Sequence, residues 1–276
     1  MKTQINTYDR TDSPADLKGF VIPARSGERM YASLFTPRGR GPRPTILLLH
    51  GYPGDENNYD LAHAFQRAGY TVVVFHYRGT WGSEGLFSVT HLLEDVSSAL
   101  AFIREHTGEE TYRFDAQRLI LIGHSMGGFA ALQTAARDTR LLGAAAVAAF
   151  DLSLAAQKPN LYAAVRREFA DCVPIRRVEL DSLMNEIDEN AEKWSFPALA
   201  RRLSGMPVCL VGASEDEISP PRHHMGPLCR ALRQIPGARV TARLLNDGHC
   251  LSDTRVELEG ILTQWVEGLL DPETEA

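Results

Sequence analysis

The chain is predicted to be an α/β protein, with a mostly parallel central sheet, helices on both faces and a small helical cap insertion. Three observations predict this. Short apolar runs of strand length alternate with longer amphipathic stretches, the signature of parallel strands joined by crossover helices. The apolar runs are almost unbroken, as strands buried on both faces must be. One long segment, residues 152–204, is strand-poor and interrupts the alternation.

The elements follow in order. Gly19–Ala24 and Met30–Phe35 flank Arg25-Ser26-Gly27-Glu28 and read as an antiparallel hairpin entering the sheet. Thr45–Leu49 is a short apolar strand ending at His50-Gly51. Leu61–Ala68 has a helical pattern, and Thr71–Phe75 is another buried strand. Val89–Arg104 is a helix, because Leu92, Leu93, Val96, Leu100 and Ile103 recur at spacings of one, three and four. Leu119–Ile122 is a strand, followed by a small-residue helical segment, Phe129–Ala136. Gly143–Ala149, Pro207–Val211 and Arg239–Leu245 supply three more strands, and Val256–Leu270 closes the chain as an amphipathic helix.

Residues 1–151 and 205–276 are therefore expected to form the core domain, with 152–204 inserted as a helical cap. Pro159, Pro174 and Pro197 punctuate the insertion. Within it, Leu180, Leu183, Met184, Ile187, Ala191 and Trp194 form one apolar stripe. Glu179, Asp181, Glu186, Asp188, Glu189 and Glu192 crowd the rest of that surface. They read as a solvated face, the sharper alternative being attraction of a cationic substrate. An insertion here would cover the carboxyl edge of the sheet, where open α/β sheets keep their ligands. Asp271–Ala276 reads as a frayed acidic tail.

Composition narrows the partners. A net charge of −6 argues against nucleic acid, because phosphate binding wants a basic face. Met1–Asn6 leads into polar sequence without the apolar core of a signal peptide. The longest apolar run, Leu141–Phe150, is about half the roughly 20 residues a membrane span needs. No membrane association is therefore expected. Cys172, Cys209, Cys229 and Cys250 lie far apart without C-x-x-C spacing, so they read as reduced thiols in a cytoplasmic protein. The adjacent His223 and His224 lack a third ligand nearby in sequence and read as surface residues. No metal site and no cofactor are expected. The oligomeric state cannot be read from these residues.

The chemistry is concentrated at residues 118–128, Arg-Leu-Ile-Leu-Ile-Gly-His-Ser-Met-Gly-Gly. This is a G-x-S-x-G pattern set between a strand and a helix, where a tight turn raises the Ser125 hydroxyl above the sheet edge. Glycine at 123 and 127 removes side chains that would crowd each other across that turn. The backbone N–H of Met126 falls at a helix start, where it can face a developing oxyanion. A serine hydroxyl needs a base, and the base needs an orienting carboxylate. Val208–Val211 runs into Gly212-Ala213-Ser214-Glu215-Asp216-Glu217-Ile218-Ser219-Pro220, and Leu244-Leu245 runs into Asn246-Asp247-Gly248-His249. Ser125, Asp216 and His249 are the candidate triad. Glu215 and Asp151, which also follow predicted strands, are alternative acids. His50, His76 and His124 read as bracing or packing residues, and Cys250 as a buried filler.

His50-Gly51-Tyr52-Pro53-Gly54, Tyr77-Arg78-Gly79, the Ser125 elbow, Asp216-Glu217-Ile218-Ser219-Pro220 and Asp247-Gly248-His249 together resemble the α/β-hydrolases of the serine esterase and peptidase kind. The likeness covers most of the chain outside 152–204. It implies the α/β-hydrolase fold and the chain order Ser…Asp…His. It favours Asp216 over Glu215 through the Asp-x-Ile-x-Pro spacing. It also implies an oxyanion hole made by the N–H groups of Tyr52 and Met126. Related epoxide hydrolases and dehalogenases carry aspartate at the elbow, and dienelactone hydrolases cysteine, so serine at 125 points to acyl transfer. The expected function is hydrolysis of a small-molecule carboxylic ester through an acyl-enzyme. The alternatives are an aminopeptidase-like or acyl-peptide hydrolase acting on a peptide-like substrate, and a ligand-binding sensor on a hydrolase scaffold.

Overall fold

The computed structural model describes residues 13–172 and 174–270; Met1–Asn6 and the acidic tail Asp271–Ala276 lie outside the described residues. The first half of the chain forms β1 (Asp16–Pro23), β2 (Arg29–Thr36), β3 (Arg43–Leu49), α1 (Tyr59–Arg67) and β4 (Thr71–Phe75). It continues through α2 (Val89–Glu105), β5 (Phe114–His124), α3 (Met126–Ala135) and β6 (Gly143–Val147). Four helices follow: α4 (Ser153–Gln157), α5 (Pro159–Asp171), α6 (Leu180–Trp194) and α7 (Phe196–Leu203). The sheet resumes with β7 (Val208–Ala213), α8 (Met225–Arg233), β8 (Val240–Leu245) and α9 (Arg255–Leu270).

The strands form one sheet in the order β1-β2-β4-β3-β5-β6-β7-β8. β1 and β2 are an antiparallel hairpin, with Pro23 opposite Arg29, and β2 joins β4 antiparallel. Every pairing from β4 through β8 is parallel. The period-two geometry of a strand divides the apolar runs between two layers. Ile46, Leu48, Val72, Val74, Ile120 and Ile122 pack with Leu61 and Phe65 of α1 and Leu258 and Leu262 of α9. Their sequence neighbours Leu47, Leu49, Val73, Phe75 and Leu121 face the opposite way, onto Leu92, Val96 and Leu100 of α2 and Phe129 and Leu132 of α3. Both faces are thus covered, and no polar alternation is needed on either.

Several boundaries differ from the sequence expectation, and one helix is added; β5, for example, runs over Phe114–His124 instead of Leu119–Ile122. β6 stops at Val147, because Ala148 takes a left-handed backbone (φ 43°) that turns the chain out of the sheet. α3 begins at Met126, directly after the serine, rather than at Phe129. α8 was not anticipated, although Leu228, Cys229 and Leu232 recur at spacings of one and three and are buried.

The apolar stripe of α6 faces inward through Leu183, Met184, Ile187 and Trp194. Trp194 and Phe196 meet Phe129 of α3 at ring separations of 5.7 and 6.3 Å. The Trp194 carbonyl accepts a hydrogen bond from the buried Gln133 amide. A second tie runs through the loop before α6: the Arg176 N–H donates to the Gly79 carbonyl, and the Phe87 N–H to the Arg176 carbonyl. A Cβ at Gly79 would lie 2.0 Å from that Arg176 oxygen, so this approach requires glycine. No helix among the described residues is long and apolar enough to cross a membrane.

Candidate active site

The carboxyl ends of β3, β5, β7 and β8 converge where the strand order reverses around β3, the usual ligand position in an open parallel sheet. Ser125 sits between β5 and α3 with φ 54° and ψ −118°, a backbone that an L-residue holds only when its surroundings enforce it. Its N–H donates to the Val147 carbonyl, and its carbonyl accepts from the N–H groups of Phe129 and Phe150. The two elbow glycines are needed for different contacts. A Cβ at Gly123 would lie 2.1 Å from the Gly127 carbonyl oxygen. One at Gly127 would lie 2.3 Å from the Leu49 oxygen and 2.5 Å from that of His50, so its crowding is with β3 and not with Gly123.

The structure brings Ser125, His249 and Asp216 into one hydrogen-bonded chain. His249 Nε2 is 2.9 Å from Ser125 Oγ, and His249 Nδ1 is 2.8 Å from Asp216 Oδ2. Asp216 is 4% exposed, and burial alone would favour its neutral form. The His249 contact and the donors around it outweigh that: the Ile218 and Ser219 N–H groups reach Oδ1, and the Ser219 hydroxyl reaches Oδ2. Its pKa is held below the usual carboxylate range. The loop carrying His249 is braced from two sides. Asp247 accepts the N–H groups of Gly248, Asp253 and Thr254 and the Thr254 hydroxyl. His124 Nε2 lies 3.0 Å from the His249 carbonyl, which can only accept.

The other candidates lie elsewhere. Glu215 is exposed, and its backbone N–H donates to the Asp247 carbonyl. Asp151 is buried, but its oxygens accept from Ser153 and from the Phe196 N–H at the starts of α4 and α7. His50 is enclosed, its Nδ1 2.7 Å from the Gly51 carbonyl, and burial beside His76 lowers its pKa to about 3. Two expectations need correction. His224 is not a surface residue: it is 3% exposed, and its Nδ1 accepts the Asp151 N–H. Cys250 is not a buried filler but an exposed thiol. Among the described residues, no group of three His, Cys, Asp or Glu side chains could hold a metal ion.

Ser125 and His249 open onto a cavity of about 390 Å³, which Tyr52 and Met126 also line. Neither the Tyr52 nor the Met126 N–H donates to a backbone acceptor among the described residues. The Tyr52 ring is held by Phe87 and Phe169 at 5.3 and 4.9 Å, and burial raises the pKa of its hydroxyl. One face of α5 forms much of the wall through Leu161, Ala164, Val165, Glu168 and Phe169. That spacing of three, one, three and one is present in the sequence but is shared by any core-facing helix. Glu168 and Glu217 also line the cavity, whereas none of the acidic residues on α6 does.

The comparisons agree with this architecture. A family model described as serine aminopeptidase, S33, matches residues 40–193. The quorum-quenching protein AidA of Acinetobacter baumannii is 34% identical over 116 residues, 40% of this chain and 36% of that protein. The chain spans less than half the length of the first curated relatives it matches. An esterase of Pyrococcus furiosus superposes with a TM-score of 0.67 at 14% identity, over 92% of this chain and 91% of that one. The α/β hydrolase GrgF from Penicillium sp. sh18 superposes with a TM-score of 0.63 at 18% identity, over 93% and 98%. The fold is that of the α/β-hydrolases.

Proposed function

The chain belongs to the serine aminopeptidase (S33) family, and from that premise we propose that it cleaves a small-molecule carboxylic ester through an acyl-enzyme. Ser125 is the nucleophile, His249 the general base and then acid, and Asp216 the group that orients the imidazole and stabilises its charged form. The observation that carries this reading is the continuous chain from Ser125 Oγ through His249 to Asp216 Oδ2, with contacts of 2.9 and 2.8 Å.

Ser125 Oγ attacks the acyl carbon while His249 Nε2 takes the hydroxyl proton. The carbonyl oxygen becomes an oxyanion, for which the free N–H groups of Met126 and Tyr52 are the donors. Removing one such donor in a comparable hydrolase costs about 10²–10³ in rate. Collapse of the tetrahedral intermediate breaks the ester bond, and His249 returns its proton to the departing alcohol. A water, deprotonated by His249, then attacks the acyl-enzyme and releases the acid and Ser125. The apolar wall from α5, with Phe150 and Leu152, suits the acyl portion of a small to medium ester. The four cysteines are free thiols, which supports placing this chemistry in a reducing, cytoplasmic setting.

A second reading keeps the mechanism and changes the bond to the amide of an aminoacyl substrate. Glu168 and Glu217 favour it, because both line the cavity and neither forms an ion pair with a side chain among the described residues. The test is a panel of aryl esters of rising acyl length beside aminoacyl arylamides, assayed with the wild type and Ser125→Ala. Ester turnover should dominate and fall by as much as ~10⁶ in the variant. Faster turnover of the arylamides would move the assignment to the peptidase reading. No turnover of either class by folded protein would favour a ligand-binding role.

A further inference from the structure

Ser219 lies on the turn after Asp216 and is 2% exposed. Its backbone N–H already helps hold Asp216, so that duty leaves the side chain free. The hydroxyl is nevertheless surrounded: Oγ is 2.8 Å from Asp216 Oδ2, 2.8 Å from the Ala148 carbonyl oxygen and 3.2 Å from His249 Nδ1.

A hydroxyl has one proton and can accept through its lone pairs. Two of its three neighbours, the carboxylate and the carbonyl, can only accept, so they compete for that proton. The third, Nδ1–H of His249, can only donate to it. Ala148 presents its carbonyl from the left-handed backbone that ends β6 (φ 43°), an unfavourable conformation for a residue with a Cβ. The strain therefore sits at the residue whose carbonyl meets the Ser219 hydroxyl.

We propose that Ser219 is a positioning residue whose hydroxyl adjusts the Asp216–His249 contact as the imidazole gains and loses charge. This rests on the reading of Ser125, His249 and Asp216 as the reacting group. While His249 is neutral, the Ser219 proton points to Asp216 Oδ2. When His249 takes the Ser125 proton, the Ser219 hydroxyl turns its proton to the Ala148 carbonyl. Its lone pair then faces Nδ1–H, giving the imidazolium a second acceptor beside the carboxylate. No covalent bond is made or broken at Ser219, and its proton stays on Oγ throughout. The extra acceptor acts mainly when His249 is charged, so it favours the transition state over bound substrate.

The test compares wild type, Ser125→Ala, Ser219→Ala and Ser219→Thr on one aryl ester, with Tm measured for each. Ser219→Ala keeps the backbone bond to Asp216 and should lower kcat by about 10–100-fold with KM nearly unchanged. Ser219→Thr retains the hydroxyl and should recover most of that loss. The proton resonance of His249 Nδ1–H, read by NMR, should move in Ser219→Ala and return in Ser219→Thr. Wild-type kcat and an unmoved resonance in folded Ser219→Ala would overturn the proposal, as would a lowered Tm with unchanged kcat. If instead the wild type and Ser125→Ala are equally active, the triad reading itself fails, and Ser219 with it.

Discussion

Two aspartate–histidine couples lie at the carboxyl edge of the sheet, and they use the same residue types in opposite ways. Beyond β7, Asp216 Oδ2 faces His249 Nδ1 at 2.8 Å while Oδ1 takes two backbone N–H groups. Beyond β6, the Asp151 backbone N–H donates to His224 Nδ1 at 2.9 Å, so that ring nitrogen carries no proton. The Asp151 carboxylate turns away from this histidine and accepts at the starts of α4 and α7, where helix N-termini favour negative charge. One carboxylate keeps an oxygen for an imidazole; the other gives both oxygens to the helical insertion. An aspartate at a strand end is therefore not identified as a triad acid by its position, but by the partner its second oxygen retains.

The comparison breaks most visibly on substitution by asparagine. Asp216→Asn should lower kcat/KM by about 10⁴, because the amide no longer fixes the imidazole tautomer or balances its charge. Asp151→Asn should change kcat/KM by only a few-fold yet cost about 1–3 kcal/mol of stability, since the amide places N–H groups against the donors of Ser153 or Phe196. Steady-state kinetics and thermal melts on both variants separate the two roles. Reversed kinetic outcomes would move the acid to Asp151.

The histidines sharpen the contrast through pH. Burial lowers the pKa of His224 and His124 to about 4 and that of His50 to about 3. A histidine whose folded value lies below its unfolded value of 6.5 takes up a proton on unfolding between the two. Stability is then intact above about pH 6.5 and falls as the pH drops toward 4. The Asp95 carboxyl, pushed up to about 6 by burial, opposes this over a narrower window. Melts from pH 7 to pH 4 should show a falling Tm. His224→Asn, which keeps an acceptor for the Asp151 N–H, should make that slope shallower by removing up to about 3 kcal/mol of pH-dependent stability. An unchanged slope would contradict the placement of a neutral His224. The smallest effect belongs to Glu215→Gln: this exposed side chain should leave kcat/KM within about two-fold, checked in the same assay.

What the sequence made legible follows from backbone constraints. The elbow was readable because only glycine fits at 123 and 127, between an unbroken run of branched aliphatics, Leu119–Ile122, and a small-residue helical segment. Asp216 and His249 were readable because each follows a strand by a few residues, β7 and β8 respectively. Asp151 follows β6 in the same way, and only the structure shows where its oxygens go. The cavity wall was not readable, because Leu161, Ala164, Val165 and Phe169 on α5 have the spacing of any core-facing helix. Periodicity identifies an inward face without saying whether it meets side chains or empty space. Ser219 belongs to the Asp216-Glu217-Ile218-Ser219-Pro220 stretch, but nothing in its sequence neighbours foretells a hydroxyl within reach of both Asp216 and His249.

Fluorophosphonate labelling followed by intact mass and peptide mapping probes a Ser125 nucleophile activated by His249 and held by Asp216. One adduct per chain is expected on Ser125, formed rapidly by the wild type and Asp151→Asn and far more slowly by Asp216→Asn. An adduct on another residue, or none on folded protein, would contradict it.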